Sequence, residues 1–190
     1  MPSVIEVRDA IVATLKSVEK VGQVHAYERY AATNEKLRKF YEYSCAGDTH
    51  LRGWYVRRLT TQEFDGTVNP QQIGWVIRGF MALSDANESE LIFDDVIERI
   101  RDAFRDDYDL GGLIDSSVNN DLAGVQLEDA NAVMFAGVLC HSARLKLWTQ
   151  CTVTISDNLA LNDFITYHAD TDMAPADGQI DATDEVTLEQ

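Results

Sequence analysis

Residues 51–59, LRGWYVRRL, and 73–80, IGWVIRGF, decide the fold. Both are short runs rich in aromatic and β-branched residues that alternate in character, the pattern of strands with two unlike faces. Between them lies TTQEFDGTVNPQQ, with Gly66 and Pro70. That stretch is too long for a tight hairpin, so it is expected to be an excursion of the kind that often carries binding.

Toward the C-terminus, Glu88 to Asp107 predicts a helix. Phe93, Val96, Ile97, Ile100 and Phe104 recur at spacings of three and four, and Asn87 with Glu90 suits a capping box. Asp95–Arg99 and Glu98–Arg101 mark its wet side, and DLGGLIDSS ends it. VQLE and a long alternating stretch, Val133 to Val153, follow. Leu145, Leu147, Thr149 and Cys151 share one side of that stretch, and a bend near His141–Ala143 is expected to divide it into two strands.

Toward the N-terminus, Ser3 and Glu6 form a capping box ahead of an apolar stripe at Val4, Val7, Ile11, Leu15 and Val18, with Gly22 as the stop. QVHAYERY predicts a strand. Asn34 is expected to cap a helix over EKLRKFYEYSC, with Leu37, Phe40, Tyr41 and Ser44 on one face and Gly47 ending it. The resulting order, α-β-α-β-β-α-β-β, implies an α+β domain whose mostly antiparallel sheet is covered by helices on one face.

Composition sets the outer bounds. The 190 residues, 45% apolar and 25% charged, suit one globular domain. No apolar run approaches the roughly 20 residues needed to span a bilayer, and the N-terminal stretch lacks a secretory pattern. Against 16 Lys and Arg stand 32 Asp and Glu, a net charge of −16. This balance argues against gripping nucleic acid through its phosphates. From Asp157 to Gln190 there are nine acids and no Lys or Arg. The expected division is a body over 1–156 and an acidic tail over 157–190 that is flexible or ordered by a partner.

Chemistry-bearing groups are sparse. Cys45, Cys140 and Cys151 fit neither a disulfide framework nor a CxxC site, and point to a reducing cytosol. Cys140 and His141 adjoin, but neighbours on a strand point to opposite faces. His168, Asp170 and Asp172 alternate without matching a metal-binding loop; His25 and His50 lack ligand partners at helical spacing. No catalytic, cofactor-binding or metal-binding residue is therefore assigned, and no enzyme activity is expected. What does recur is arginine with aromatics. Arg52, Arg57, Arg58 and Arg78 interleave with Trp54 and Trp75 on the strands, a mixture typical of protein interfaces. These six form the candidate subunit interface.

IRGFMALSDANESELIFDDVIERIRDAF and MFAGVLCHSARLKLWTQ, set in this order of elements, resemble the tail terminator (tail completion) and neck proteins of long-tailed bacteriophages over about residues 3–155. The resemblance implies a structural virion protein, assembled in the host cytoplasm and forming a ring of six copies. Such a ring caps the tail tube, stops its polymerisation and docks the head connector, while genomic DNA passes through the lumen without specific binding. A carboxylate-lined lumen would suit that passage by repelling phosphate. The alternatives are another neck or connector adaptor, or an acidic regulatory or nucleic-acid-mimic protein.

A closed ring needs heterologous contacts, so Arg57, Arg58 and Arg78 are expected to meet acids on the next copy. Reversing the charge at Arg58 should therefore weaken assembly, seen as later elution in size-exclusion chromatography; unchanged rings would remove Arg58 from the interface.

Overall fold

A computed structural model describes residues 2–45, 48–64, 69–84, 87–119, 122–153, 166–171 and 182–187. Along the chain run α1 (Val4–Ser17), β1 (Gln23–His25), α2 (Asn34–Lys39), β2 (Glu42–Cys45), β3 (Asp48–Glu63) and β4 (Asn69–Ala82). Then come α3 (Ser89–Asp106), β5 (Val118–Asn119), β6 (Leu122–Ala123), β7 (Gln126–Phe135), β8 (Val138–Val153), β9 (Thr166–Thr171) and β10 (Ala182–Thr187). The chain divides into two compact units, 1–154 and 155–190.

The first unit is α+β. Its mixed sheet runs β1-β3-β4-β8-β7, with β2 also paired to β3. β1 joins β3 in parallel, and the other pairings are antiparallel. Residues of α1 and α3 pack with one face of this sheet. Val7, Ile11 and Leu15 from α1 and Phe93, Ile97, Ile100 and Phe104 from α3 bury against Trp54, Val56, Trp75, Ile77, Leu145 and Leu147. The capping box of α1 forms as its sequence requires, with the Glu6 amide donating to Ser3 Oγ and the Ser3 amide to Glu6 Oε2.

Trp54 fixes how the layers meet. Its indole N–H donates to the Val21 carbonyl at 3.0 Å, and its ring stacks on Phe93 with centroids 5.6 Å apart. The same ring lies flat on the Gly79 backbone, where a Cβ would stand only 2.3 Å from Cζ3. Trp75 is equally buried, and donates to Thr149 Oγ1 at 2.9 Å.

Several local expectations are overturned. The helix expected over 35–45 is α2 alone, capped by Thr33 rather than Asn34. Residues 42–45 pair with 48–51 instead, because the strand ladder satisfies their backbone and outweighs the helical spacing of Tyr41 and Ser44. The expected stop at Gly47 lies outside the described residues. The strand expected over QVHAYERY is only β1, and α1 ends at Ser17, before Gly22. Glu88, in a left-handed conformation, opens α3 without a side-chain cap, while Asn87 donates to Ser84 Oγ. β3 and β4 extend to Glu63 and Asn69 and pair with each other, so most of the long excursion expected between them is strand. Near the C-terminus, β8 runs unbroken through 141–143. The break falls at Ala136–Gly137, both at positive φ as a two-residue hairpin turn requires.

In the second unit, β9 and β10 form an antiparallel pair, Thr166 opposite Thr187. Residues 182–187 show no strand periodicity in sequence, and backbone pairing to β9 makes them one.

Gly79→Ala should destabilise the fold by about 1–3 kcal/mol through overpacking under Trp54. Urea unfolding would measure the loss; a wild-type midpoint would show that the indole yields freely.

Candidate interaction surface

The face of the sheet away from α1 and α3 is only partly covered. An aromatic cluster of Tyr41, Leu51, Tyr55, Phe80 and Cys140 crosses this face from β3 to β8, with Leu37 of α2 packed against it, so the helices do not all cover one face as expected. Tyr41 meets Phe135 edge-on at 5.0 Å, and Phe80 stacks on Phe135 at 3.9 Å. Burial holds the Tyr41 hydroxyl up to about 12 and the Cys140 thiol up to about 11, so neither group ionises readily. The Cys151 thiol is also raised by burial, on the helix-covered side.

Beyond that cluster the face turns basic. Strand register lays Tyr55, Arg78 and Arg144 in one cross-strand row, and Val76 and Lys146 in the next beside Arg57. Arg78 and Arg144 stand directly opposite, an arrangement of like charges that is unfavourable by itself. Glu128 offsets part of it. Its carboxylate lies 3.1 Å from Lys146 Nζ and 3.1 Å from Arg144 Nε, the latter an ion pair out of line for a hydrogen bond. The cations also lie over rings, Arg78 at 5.5 Å from the Phe80 centroid and Lys146 at 5.4 Å from that of Trp148. Arg78 Nε is buried without a hydrogen-bond partner, and among the described residues no carboxylate pairs with this guanidinium.

The six residues expected to form one interface are dispersed. Trp54 and Trp75 are wholly buried beneath the helices and offer no surface, because each must satisfy its N–H inside the core. Arg52 donates to the Lys20 carbonyl at 3.0 Å and lies over Tyr43 at 5.6 Å. Arg57 and Arg58 point to opposite sides of β3, as neighbours on a strand must. Arg58 pairs in register with Trp75 on the helix-bearing side. Arg57 lies on the open side, 3.6 Å from Glu28, and shares that side with Arg78. Sequence inspection missed Arg144, Lys146, Glu128 and Trp148. Alternation along residues 140–150 would have placed the three β8 residues on the face opposite Leu145 and Leu147. It could not have shown which face was left open.

Cys140 and His141 do separate to opposite faces. His141 Nε2 instead meets Ser89 Oγ at 2.8 Å, and that oxygen accepts the Ser84 amide at 2.8 Å. Ser89 is itself buried at the start of α3, so the pair straps the β4–α3 connection to β8. His141 also lines a cavity of about 210 Å³ with Glu90 and Asp94. Among the described residues there is no cluster of three or more His, Cys, Asp or Glu placed to hold a metal, and no helix long and apolar enough to cross a membrane. Asp172, the last of the alternating His168, Asp170 and Asp172, lies outside the described residues. Comparison with protein-family models and with curated proteins returns no match.

His25 sits at the border of the aromatic cluster, with its Nε2 2.7 Å from the Phe40 carbonyl. Burial lowers its pKa, the Phe40 hydrogen bond opposes that, and Arg29 adds to the lowering. A folded pKa below the unfolded value of about 6.5 means that the unfolded chain binds more protons in mild acid. This contribution to stability is full above about pH 6.5 and is lost as pH falls through the folded pKa. His25→Asn should flatten the pH dependence of urea midpoints from about pH 7 to 5; an unchanged slope would assign the dependence elsewhere.

Proposed function

We propose that this chain is a structural, ring-forming component of a phage tail or neck, acting by contact between copies and with adjoining particle parts. Arg78 carries the proposal. In a chain with twice as many acids as bases, this guanidinium lies on an open sheet face opposite Arg144, with no carboxylate of its own described chain against it. Acids on another molecule are the natural complement, and a second copy is rich in them. A surface of one sign meeting a differently charged surface on the next copy is a heterologous contact, and heterologous contacts close into rings when the rotation allows.

The sequence resemblance supplies the particulars: six copies, a tail tube beneath, a head connector above, and duplex DNA passing through. Net acidity supports the passage of DNA, since a lumen lined by carboxylates repels phosphate over roughly 8–10 Å at physiological salt. This requires the basic face to turn away from the axis. A basic ring around the opening would contradict the proposal.

Mass in solution and negative-stain images test it together. The expected result is a six-fold annulus with an opening wide enough for duplex DNA. A compact monomer at every concentration would overturn it, and a monomer or dimer that captures a basic enzyme would favour the mimic class instead.

A further inference from the structure

The sheet of the first unit ends in two open edges. Among the described residues, β1 pairs with β3 only at Gly53–Tyr55 and β2 only at Asp48–Leu51, so from Arg57 to Glu63 the outer edge of β3 has no strand beside it, although Tyr27, Glu28 and Tyr30 lie near it at Val56 and Arg57. At the other end, β7 pairs with β8 alone among the described residues. Leu59 on the first edge is 44% exposed, and Leu127 and Met134 on the second are 44% and 69% exposed. Open edges with exposed apolar side chains favour pairing with another chain.

The two edges are also unlike in charge. Arg57 borders the open face at β3; Asp129, opposite Arg144 in register, borders the same face at β7, beside Glu128. We propose that copies join edge to edge, residues 57–63 of β3 adding to β7 of the next copy, with Arg57 set against Asp129. This rests on the ring-forming reading: it builds the ring through the strand edges and leaves the Arg78 face, on central β4, for an adjoining particle part.

Direction and register both permit it. From β3 through β4 and β8 to β7 there are three antiparallel steps, so β7 runs opposite to β3. A copy related by rotation about an axis along the strands therefore presents β7 antiparallel to β3, with the open faces on the same side. Setting Arg57 opposite Asn131 keeps both on that face, and Asp129 becomes the diagonal neighbour within reach of the guanidinium. Opening Arg57 toward a new carboxylate costs little, because its pair with Glu28 is long and the Arg57 side chain is exposed. Each copy uses its β3 edge once and its β7 edge once, so the contact is heterologous and leaves no free edge when the ring closes.

Ala130→Pro tests the backbone pairing directly. The Ala136–Gly137 turn makes Phe135 and Val138 a hydrogen-bonded pair, so Met134, Ala132 and Ala130 turn their amides outward, away from β8, and Ala130 is the one that falls opposite Arg58. Proline at 130 would remove an outward donor and leave the intrachain ladder intact. The expected result is at least about a tenfold rise in the concentration for half-assembly, with circular dichroism and melting close to wild type. Arg57→Glu and Asp129→Arg should each do the same, and the double exchange should restore assembly. In a Cys45→Ser background, a short bis-maleimide should link Thr60→Cys and Asn131→Cys proteins only when the two are mixed.

Rings that form normally with Ala130→Pro and with Arg57→Glu would overturn this contact while leaving the ring-forming reading intact. Linking within Asn131→Cys protein alone would overturn it in favour of β7 pairing with itself. A wild-type chain that stays monomeric would remove the ring-forming reading and this contact together.

Discussion

The contact of Trp54 with Gly79 holds the fold in its present form. A tryptophan ring can lie flat on a neighbouring strand only where that strand carries no Cβ, and here the ring's other surroundings come from different layers. Its N–H ties down the chain after α1 at Val21, and its face stacks on Phe93 of α3. One side chain thus joins both long helices to the central strands. A buried indole needs its N–H satisfied, so the chain leaving α1 has little freedom to move once the ring is seated. Trp75 repeats the device on β4, with Thr149 as acceptor and Arg8 of α1 at 5.7 Å over its ring.

Both large rings point the same way, and so both helices pack on that side. The opposite face is left with one aromatic cluster and a strip where arginine and lysine can lay their apolar stems over rings while their charged ends reach water. In a chain of net charge −16, a strip of this sign is held against the average. The row in which Arg78 faces Arg144 is the sharpest case. Glu128 compensates Arg144 and Lys146, and nothing comparable reaches Arg78 among the described residues.

Much of this was legible in the sequence where one face of an element is deeply buried. The stripe Phe93, Val96, Ile97, Ile100 and Phe104 is wholly buried, and Leu145, Leu147, Thr149 and Cys151 share the inner side of β8. Legibility failed where two periodicities overlap. Leu37, Phe40, Tyr41 and Ser44 fit a helix, yet Tyr41 faces the aromatic cluster while 42–45 turn into a strand, a choice made by β3 rather than by local propensity. The interface candidates failed for a related reason. Arginine and tryptophan adjacent in sequence alternate in space, so a composition typical of interfaces divided into a core half and a surface half. Arg57 and Arg78 kept the surface role on the open face, and their neighbours Arg144 and Lys146 came from a strand about 70 residues away, beyond the reach of any local pattern.

Assembly of so acidic a chain sets long-range repulsion against short-range fit. Each added copy brings another net −16, and that repulsion extends over a screening length of about 8–10 Å at physiological salt. Contacts between edges act at a few ångströms, through backbone hydrogen bonds that carry no net charge and one or two ion pairs. A continuous ladder is suited to this conflict because its strength comes mostly from neutral groups, leaving charge to choose the partner edge and set the register. The same arithmetic disfavours a contact built only from surface ion pairs, each worth at most about 1 kcal/mol. Backbone edges, rather than the basic strip, are therefore the part of this surface able to hold like-charged copies together, with Arg57 and Asp129 at the edges deciding which edge meets which.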